Sequence, residues 1–229
     1  MKKFSILAVF SLLQVGLLPA QSLLDVSFGS SQQDNLAFQV AFRKQISSTF
    51  RAGVQVQYGM PNYRFISAIT FEDMGYSTTV SVPMTFRIND EEGFQLNLVV
   101  NPGIRLQGVE QSETNNINGD YRSTAISFEP GLLVNIPSGE KVNFQSGITF
   151  PILYEIDPEA LFENQTTLLH AGMSYRASDR SIAFIRTNMG SAWGASGDSQ
   201  KFLWSAQIGI RLVLSKNSNP FNSIIEGSL

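Results

Sequence analysis

Two side chains that could do chemistry together lie four residues apart in this chain, at His170 and Ser174. A histidine close to a serine is the pairing that nucleophilic hydrolases use, with the imidazole as the general base. Both residues fall on the polar face of one predicted strand, together with Arg176, and therefore face the interior of the fold. We expect an interior histidine held by hydrogen bonds, and an enzyme centred on this pair is the weaker hypothesis.

The composition excludes several other kinds of site. His170 is the only histidine, which rules out a multi-histidine metal site, and the absence of cysteine rules out thiolate metal sites and disulfide scaffolds. The glycines occur singly, at predicted turns and inside predicted strands, so no glycine-rich phosphate loop is present. We predict no catalytic residue, no cofactor and no metal ion.

A set of polar and charged residues recurs on the inner faces of the predicted strands, and its main members are Arg43, Arg51, Arg87, Arg105, Glu129, Arg211 and His170. Four of these arginines, at positions 43, 51, 87 and 211, lie near short turns and are expected at one level. They could form a basic constriction that attracts anions. They could instead form a polar plug, bonded to Gln, Asn, Glu129 and turn carboxylates such as Asp90, Glu91 and Glu92. We favour the plug.

The elements that position these residues are ten segments in which apolar and polar side chains alternate. The clearest pair, 75–88 and 94–107, is joined by the polar turn of residues 89–93 and predicts a β-hairpin. Alternation of this kind sends apolar and polar side chains to opposite faces of a strand. The other segments are 23–29, 35–43, 49–58, 121–136, 142–154, 166–176, 181–189 and 202–214. The facing of 181–189 is unresolved, because Phe184 and Arg186 share a face.

The connections between the segments alternate in length. Four are short (44–48, 89–93, 137–141 and 177–180), and four are long (59–74, 108–120, 155–165 and 190–200). Short turns on the periplasmic side and long loops on the outside are typical of outer-membrane barrels. The pattern predicts an all-β, antiparallel, up-and-down transmembrane β-barrel of about ten strands, with eight as the alternative. It would occupy residues 21–214, followed by a polar tail at 215–229.

Aromatic residues bracket the aliphatic middle of the predicted strands. At the long-loop ends these are Tyr58, Tyr76, Tyr121, Tyr154, Phe202 and Trp204, and at the short-turn ends Phe42, Phe50, Phe86 and Phe94. Two aromatic rows are what two membrane interfaces select. A soluble secreted β-protein, with its large residues in the middle of the strands, is the alternative class.

The N-terminus is typical of a secretory signal peptide. Lys2 and Lys3 precede an apolar run of about 15 residues that ends near Ala20, too short to span a bilayer. We predict cleavage after Ala20, and therefore export to the bacterial outer membrane. The remaining chain carries 14 basic and 19 acidic residues, a net charge of −5 that gives no reason to expect a nucleic-acid partner.

The chain resembles the small outer-membrane β-barrel proteins, a broad family of PorT-like and OmpX-like exported barrels. Its closing segment, with Gly209, Ile210, Arg211 and Leu212, is similar to the last strand of such barrels. The resemblance implies a barrel in the outer-membrane bilayer that is inserted by the outer-membrane assembly machinery. Those barrels commonly end in an aromatic residue, whereas this chain continues through the tail.

Five aromatic residues, Tyr63, Phe65, Phe71, Phe162 and Trp193, fall in the predicted long connections. Exposed aromatics of this kind can anchor an envelope protein partner, or they can fold over the barrel as a lid. The leading hypothesis is therefore a non-enzymatic, largely filled barrel with a structural or partner-binding role. A narrow anion-preferring diffusion pore is the first alternative, and a lipid-modifying membrane enzyme is the less favoured one.

Overall fold

A computed structural model describes residues 22–31, 34–61, 75–89, 94–109, 121–157, 161–194 and 200–214. It contains twelve strand segments: β1 (Ser22–Ser31), β2 (Asp34–Gln45), β3 (Phe50–Pro61), β4 (Gly75–Ser81), β5 (Met84–Arg87), β6 (Gln95–Val109), β7 (Tyr121–Ser138), β8 (Val142–Thr149), β9 (Ile152–Asp157), β10 (Leu161–Ser178), β11 (Ser181–Gly194) and β12 (Gln200–Val213). The described residues contain no helix long and apolar enough to cross a membrane. The predicted signal peptide and the tail lie outside the described residues.

The twelve segments make ten strands, because two prolines each interrupt one strand without shifting it. Pro83 separates β4 from β5 and Pro151 separates β8 from β9, since proline has no N–H to give to a ladder. The carbonyl oxygen of Pro83 still accepts a bond from the Gly53 N–H (3.0 Å), and that of Pro151 accepts one from Thr166 (2.8 Å). The pairing register is the same on both sides of each interruption.

The sheet closes on itself when the first strand pairs with the last. β1 runs antiparallel to β2 on one side and to β12 on the other, with Asp25 opposite Arg211 across the closing seam. Every neighbouring pair around the barrel is antiparallel and follows chain order. The predicted up-and-down barrel is confirmed, with ten strands and not eight, and the short segment 23–29 is one of them.

The outer surface of the barrel is an apolar belt. Large apolar side chains that point outward include Phe38, Val56, Val80, Ile104, Ile126, Leu169, Ile185, Ile208 and Ile210. Aromatic rings also lie on this face, and Phe50 stacks on Phe86 near a short turn with their ring centroids 4.6 Å apart. An exposed apolar surface of this extent is the one that a bilayer covers.

Two of the predicted long connections are wrong. Residues 155–165 and 190–200 are largely strand: Phe162 in β10 is paired with Tyr154, and Trp193 in β11 with Gln165 and Gln200. These strands continue past their regularly alternating apolar part, which is the only part that the hydrophobic pattern marks. Phe162 and Trp193 are therefore not loop aromatics, and Tyr63, Phe65 and Phe71 lie outside the described residues.

Glycines on the inner face make room for long side chains from the neighbouring strand. A Cβ at Gly53 would lie 2.1 Å from the carbonyl oxygen of Phe42 and 2.9 Å from Cγ of Arg43. A Cβ at Gly172, also on the inner face, would meet nothing closer than 3.3 Å. The missing Cβ at Gly53 thus leaves room for the Arg43 side chain on the neighbouring strand.

The substitution Gly53→Ala should therefore lower the free energy of unfolding by about 1–3 kcal/mol through overpacking. Gly172→Ala is the matched control and should change it little or raise it by about 0.5 kcal/mol. Urea unfolding of the reconstituted barrel measures both values. Equal losses in the two variants would contradict the packing of Arg43 over Gly53.

Candidate functional site

The lumen contains a buried carboxylate shared by two guanidinium groups, at the seam where β1 pairs with β12. Arg211 donates from Nε to Oδ1 of Asp25 (2.6 Å) and from Nη2 to Oδ2 (2.8 Å), and Arg43 donates from Nη1 to Oδ2. The exposed fractions are 3% for Asp25, 1% for Arg43 and 0% for Arg211. Two-point contact between guanidinium and carboxylate is the strong, directional form of this interaction.

Two glutamines extend this cluster onto β2 and β3. Oε1 of Gln55 accepts a bond from Nε2 of Gln39 (2.8 Å) and a longer one from Nη2 of Arg43 (3.5 Å). Gln55 is buried, so its bonds are made to side chains and not to bulk water. Side chains from β1, β2, β3 and β12 thus form one network, named here the Asp25 network.

Arg186 on β11 lies beside the Asp25 network. It is opposite Gln207 in the β11–β12 ladder, donates from Nη2 to the Gln207 side-chain oxygen, and is within electrostatic range of Asp25. Sequence reasoning gave neither Arg186 nor Asp25 as a site residue. The facing of both residues could have been found from the outward apolar residues of their own strands. Leu24, Val26 and Phe28 place Asp25 inward, and an apolar row around Ile185 places Arg186 inward.

A second chain of hydrogen bonds joins β7, β8 and β10. Thr149 Oγ1 donates to Oε1 of Glu129 (3.0 Å) and is 2.7 Å from Nε2 of His170. Asn101 Nδ2 also donates to Glu129, at 3.3 Å. Because the Thr149 hydroxyl has a single hydrogen and gives it to Glu129, the imidazole nitrogen is the donor to Thr149.

The structure does not bring His170 and Ser174 together. Residues four apart on a strand are separated by about 13 Å, and the Ser174 hydroxyl donates to the carbonyl oxygen of Asn143 (3.5 Å). His170 makes its contact with Thr149 instead. The hypothesis of a nucleophilic centre built from these two residues therefore finds no support in their geometry.

The arginines predicted at one level belong to two groups. Arg43 and Arg211 form the Asp25 network, whereas Arg51 and Arg87 line the mouth of the barrel at its short-turn end. Arg105 lies farther along β6, opposite Ala125, which is in turn opposite Glu155 on β9. Of the partners that the plug hypothesis gave to these arginines, glutamine is found at Arg43, which donates to Gln55. The carboxylate of Arg43 and Arg211 is Asp25, and Glu129 accepts bonds from Asn101 and Thr149. The turn carboxylates at 90–92 lie outside the described residues.

The lumen is not lined by polar groups alone. Buried apolar side chains also point inward, and they are Leu23, Val99, Leu133, Leu168, Ile182, Phe184, Leu203 and Val213. Val99 packs against Leu133. Within the described part of the chain, no group of three or more His, Cys, Asp or Glu residues could hold a metal ion.

Comparison with known proteins identifies the fold. No family model and no curated protein matches this chain. The outer membrane protease OmpT from Escherichia coli is 8% identical with a TM-score of 0.53, over 86% of this chain and 97% of OmpT. The translocator domain of autotransporter NalP from Neisseria meningitidis is 9% identical with a TM-score of 0.52, over 90% and 92%.

The beta domain of the Bordetella autotransporter BrkA is 12% identical with a TM-score of 0.50, over 86% of this chain and 100% of that domain. At these identities the likeness concerns the fold alone, and these neighbours include both a protease and translocator domains. The chain therefore has the fold of a small bacterial outer-membrane β-barrel.

The substitution Asp25→Ala should lower the free energy of unfolding by about 3–5 kcal/mol, because it leaves two buried guanidinium groups without their carboxylate. Ser27→Ala, the next inward position on β1, is the matched control and should cost less than about 1 kcal/mol. Urea unfolding in detergent measures the difference.

Combining Asp25→Ala with Arg43→Met tests the coupling directly. Removing one of the unpaired charges should recover part of the loss, so the double variant should be more stable than the sum of the single changes indicates. Strict additivity would contradict the network.

Proposed function

We propose that this chain is a closed, non-enzymatic outer-membrane barrel with a structural or partner-binding role. The observation that carries the proposal is the burial of the Asp25 network, whose charged members are at most 3% exposed. A conducting pore needs a continuous path of water, and groups along that path are exposed to it. In this lumen the Asp25, Arg43 and Arg211 side chains are in contact with one another.

The small number of strands supports a closed lumen. Eight-stranded barrels are just filled by their own side chains, and ten strands enclose little more space. The hydrogen-bonded charges of Asp25 and Arg211 have little surface left for a hydrated ion at this level of the lumen. Inward apolar residues such as Leu168 and Leu203 narrow the lumen further.

We also propose how the barrel is placed in the cell. Residues 1–20 act as a cleaved signal peptide, residues 21–214 insert into the outer-membrane bilayer through the assembly machinery, and residues 215–229 are a polar tail. The short turns then face the periplasm and the long connections face outward. The outer connections and the tail are the parts that would be open to an envelope partner.

A narrow anion-preferring pore is the second candidate, and luminal charge favours it. Inward-facing arginines outnumber inward-facing carboxylates in the described strands: Arg43, Arg51, Arg87, Arg105, Arg176, Arg186 and Arg211 against Asp25, Glu129 and Glu155. A surplus of positive charge would draw anions into any open path. Conductance separates the two candidates.

Planar-bilayer recording of protein recovered from the outer-membrane fraction tests the proposal. The wild type should give no discrete conductance steps, whereas the triple variant Asp25→Ala, Arg43→Ala, Arg211→Ala should give steps, because it removes the buried charged side chains of the Asp25 network from the lumen. A shift in gel mobility on boiling verifies that each variant has folded. Anion-selective steps from the wild type would establish the pore instead, and recovery of a soluble protein would contradict both candidates.

A further inference from the structure

The short-turn mouth of the barrel contains a pocket that is open to solvent. Its walls include Arg51, Thr85, Arg87 and Asn97 from three adjacent strands, and the β2–β3 turn closes one side. Each of these four positions belongs to the inward row of its strand. The pocket is therefore reached from the aqueous mouth and not from the lipid-facing belt.

The pairing register places two positive charges next to each other. Arg51 on β3 is directly opposite Thr85 on β5, and Arg87, two residues further, is opposite Asn97 on β6. Arg51 and Arg87 are thus diagonal neighbours on one face of paired strands, which is within reach of long side chains. Both guanidinium groups are positively charged, so an anion placed between them would be attracted by both.

The pocket also offers hydrogen bonds that suit an oxyanion. The Thr85 side chain is 6% exposed, and its hydroxyl has no hydrogen-bond partner among the described residues. The β2–β3 turn is held in shape by Ser47, whose Oγ accepts bonds from the N–H groups of Thr49 (3.3 Å) and Phe50 (3.1 Å). The described residues that line the pocket include two arginines and no carboxylate.

We propose that this pocket binds a small soluble oxyanion, namely phosphate or a phosphate monoester, between the Arg51 and Arg87 guanidinium groups with the Thr85 hydroxyl as a further donor. Arginine is suited to this ligand because its planar fork matches two oxygens at once. The pocket is separate from the Asp25 network, so binding does not depend on whether the barrel conducts.

Isothermal titration of the full-length barrel with inorganic phosphate, in a zwitterionic detergent, tests the proposal. Arg51→Gln and Arg87→Gln should each raise the Kd by at least about tenfold, since each removes a charged hydrogen-bond donor. Arg180→Gln is the matched control: it removes an exposed arginine from a turn at the same end of the barrel. This control should change the Kd by less than about twofold, and a gel-mobility shift on boiling verifies that all three variants are folded.

Three results would overturn the proposal. If Arg180→Gln weakens binding as much as the pocket variants, the barrel attracts phosphate through its general charge and has no site. If phosphate binds only after Asp90, Glu91 and Glu92 have been replaced by Asn, Gln and Gln, the pocket belongs to the chain's own acidic turn. An absence of phosphate binding together with an absence of conductance would reject this site while leaving the closed barrel intact.

Discussion

The structure depends on one buried carboxylate at the place where the barrel closes. Asp25 is in the first strand and Arg211 is in the last, directly opposite each other in the closing ladder. Arg43 reaches the same carboxylate from the second strand. A buried charge is costly unless it is paired and hydrogen-bonded. The pairing of these charges therefore requires the closed barrel, since strands 186 residues apart in sequence must meet to form it.

The remainder of the interior accommodates this network. Gly53 leaves space for the Arg43 side chain. A Cβ at Gly29 would lie 2.6 Å from Cγ of Gln207, the residue that accepts a bond from Arg186. The outer surface of the barrel is an apolar belt that faces lipid. A charged side chain is therefore not stabilised by turning outward. Strand alternation thus places the charged residues inward, and the register between neighbouring strands brings them into contact.

Much of the fold follows from local pattern in the sequence. Alternation gave the ten strands and the facing of most residues, because a strand with one face toward lipid and one toward the lumen has a period of two. It did not assign β11, where Phe184 and Arg186 share the inner face. It also began β10 too late and ended β11 too early, since Phe162 and Trp193 lie where the apolar alternation has faded but backbone pairing continues.

The partners within the site were less accessible to sequence reasoning. The inward facing of Arg43 follows from its own strand pattern. Its carboxylate partner is decided by the register between strands that are distant in sequence. Asp25 lies in the shortest predicted segment, and nothing near it in sequence indicates two arginines. His170 is the opposite case: its interior, hydrogen-bonded position was expected from the strand pattern, and Thr149 as its partner required the structure.

The most direct test of the account is a cross-link across the closing seam, which the cysteine-free sequence makes unambiguous. Val26 and Ile210 are opposite each other in the β1–β12 ladder, within the Cα separation that a disulfide spans. The account predicts that Val26→Cys with Ile210→Cys oxidises to a closed loop with altered mobility on a denaturing gel. Val26→Cys with Ala206→Cys, four residues off register, should remain open. Cross-linking of the second pair and not the first would contradict the register, and with it the Asp25 network.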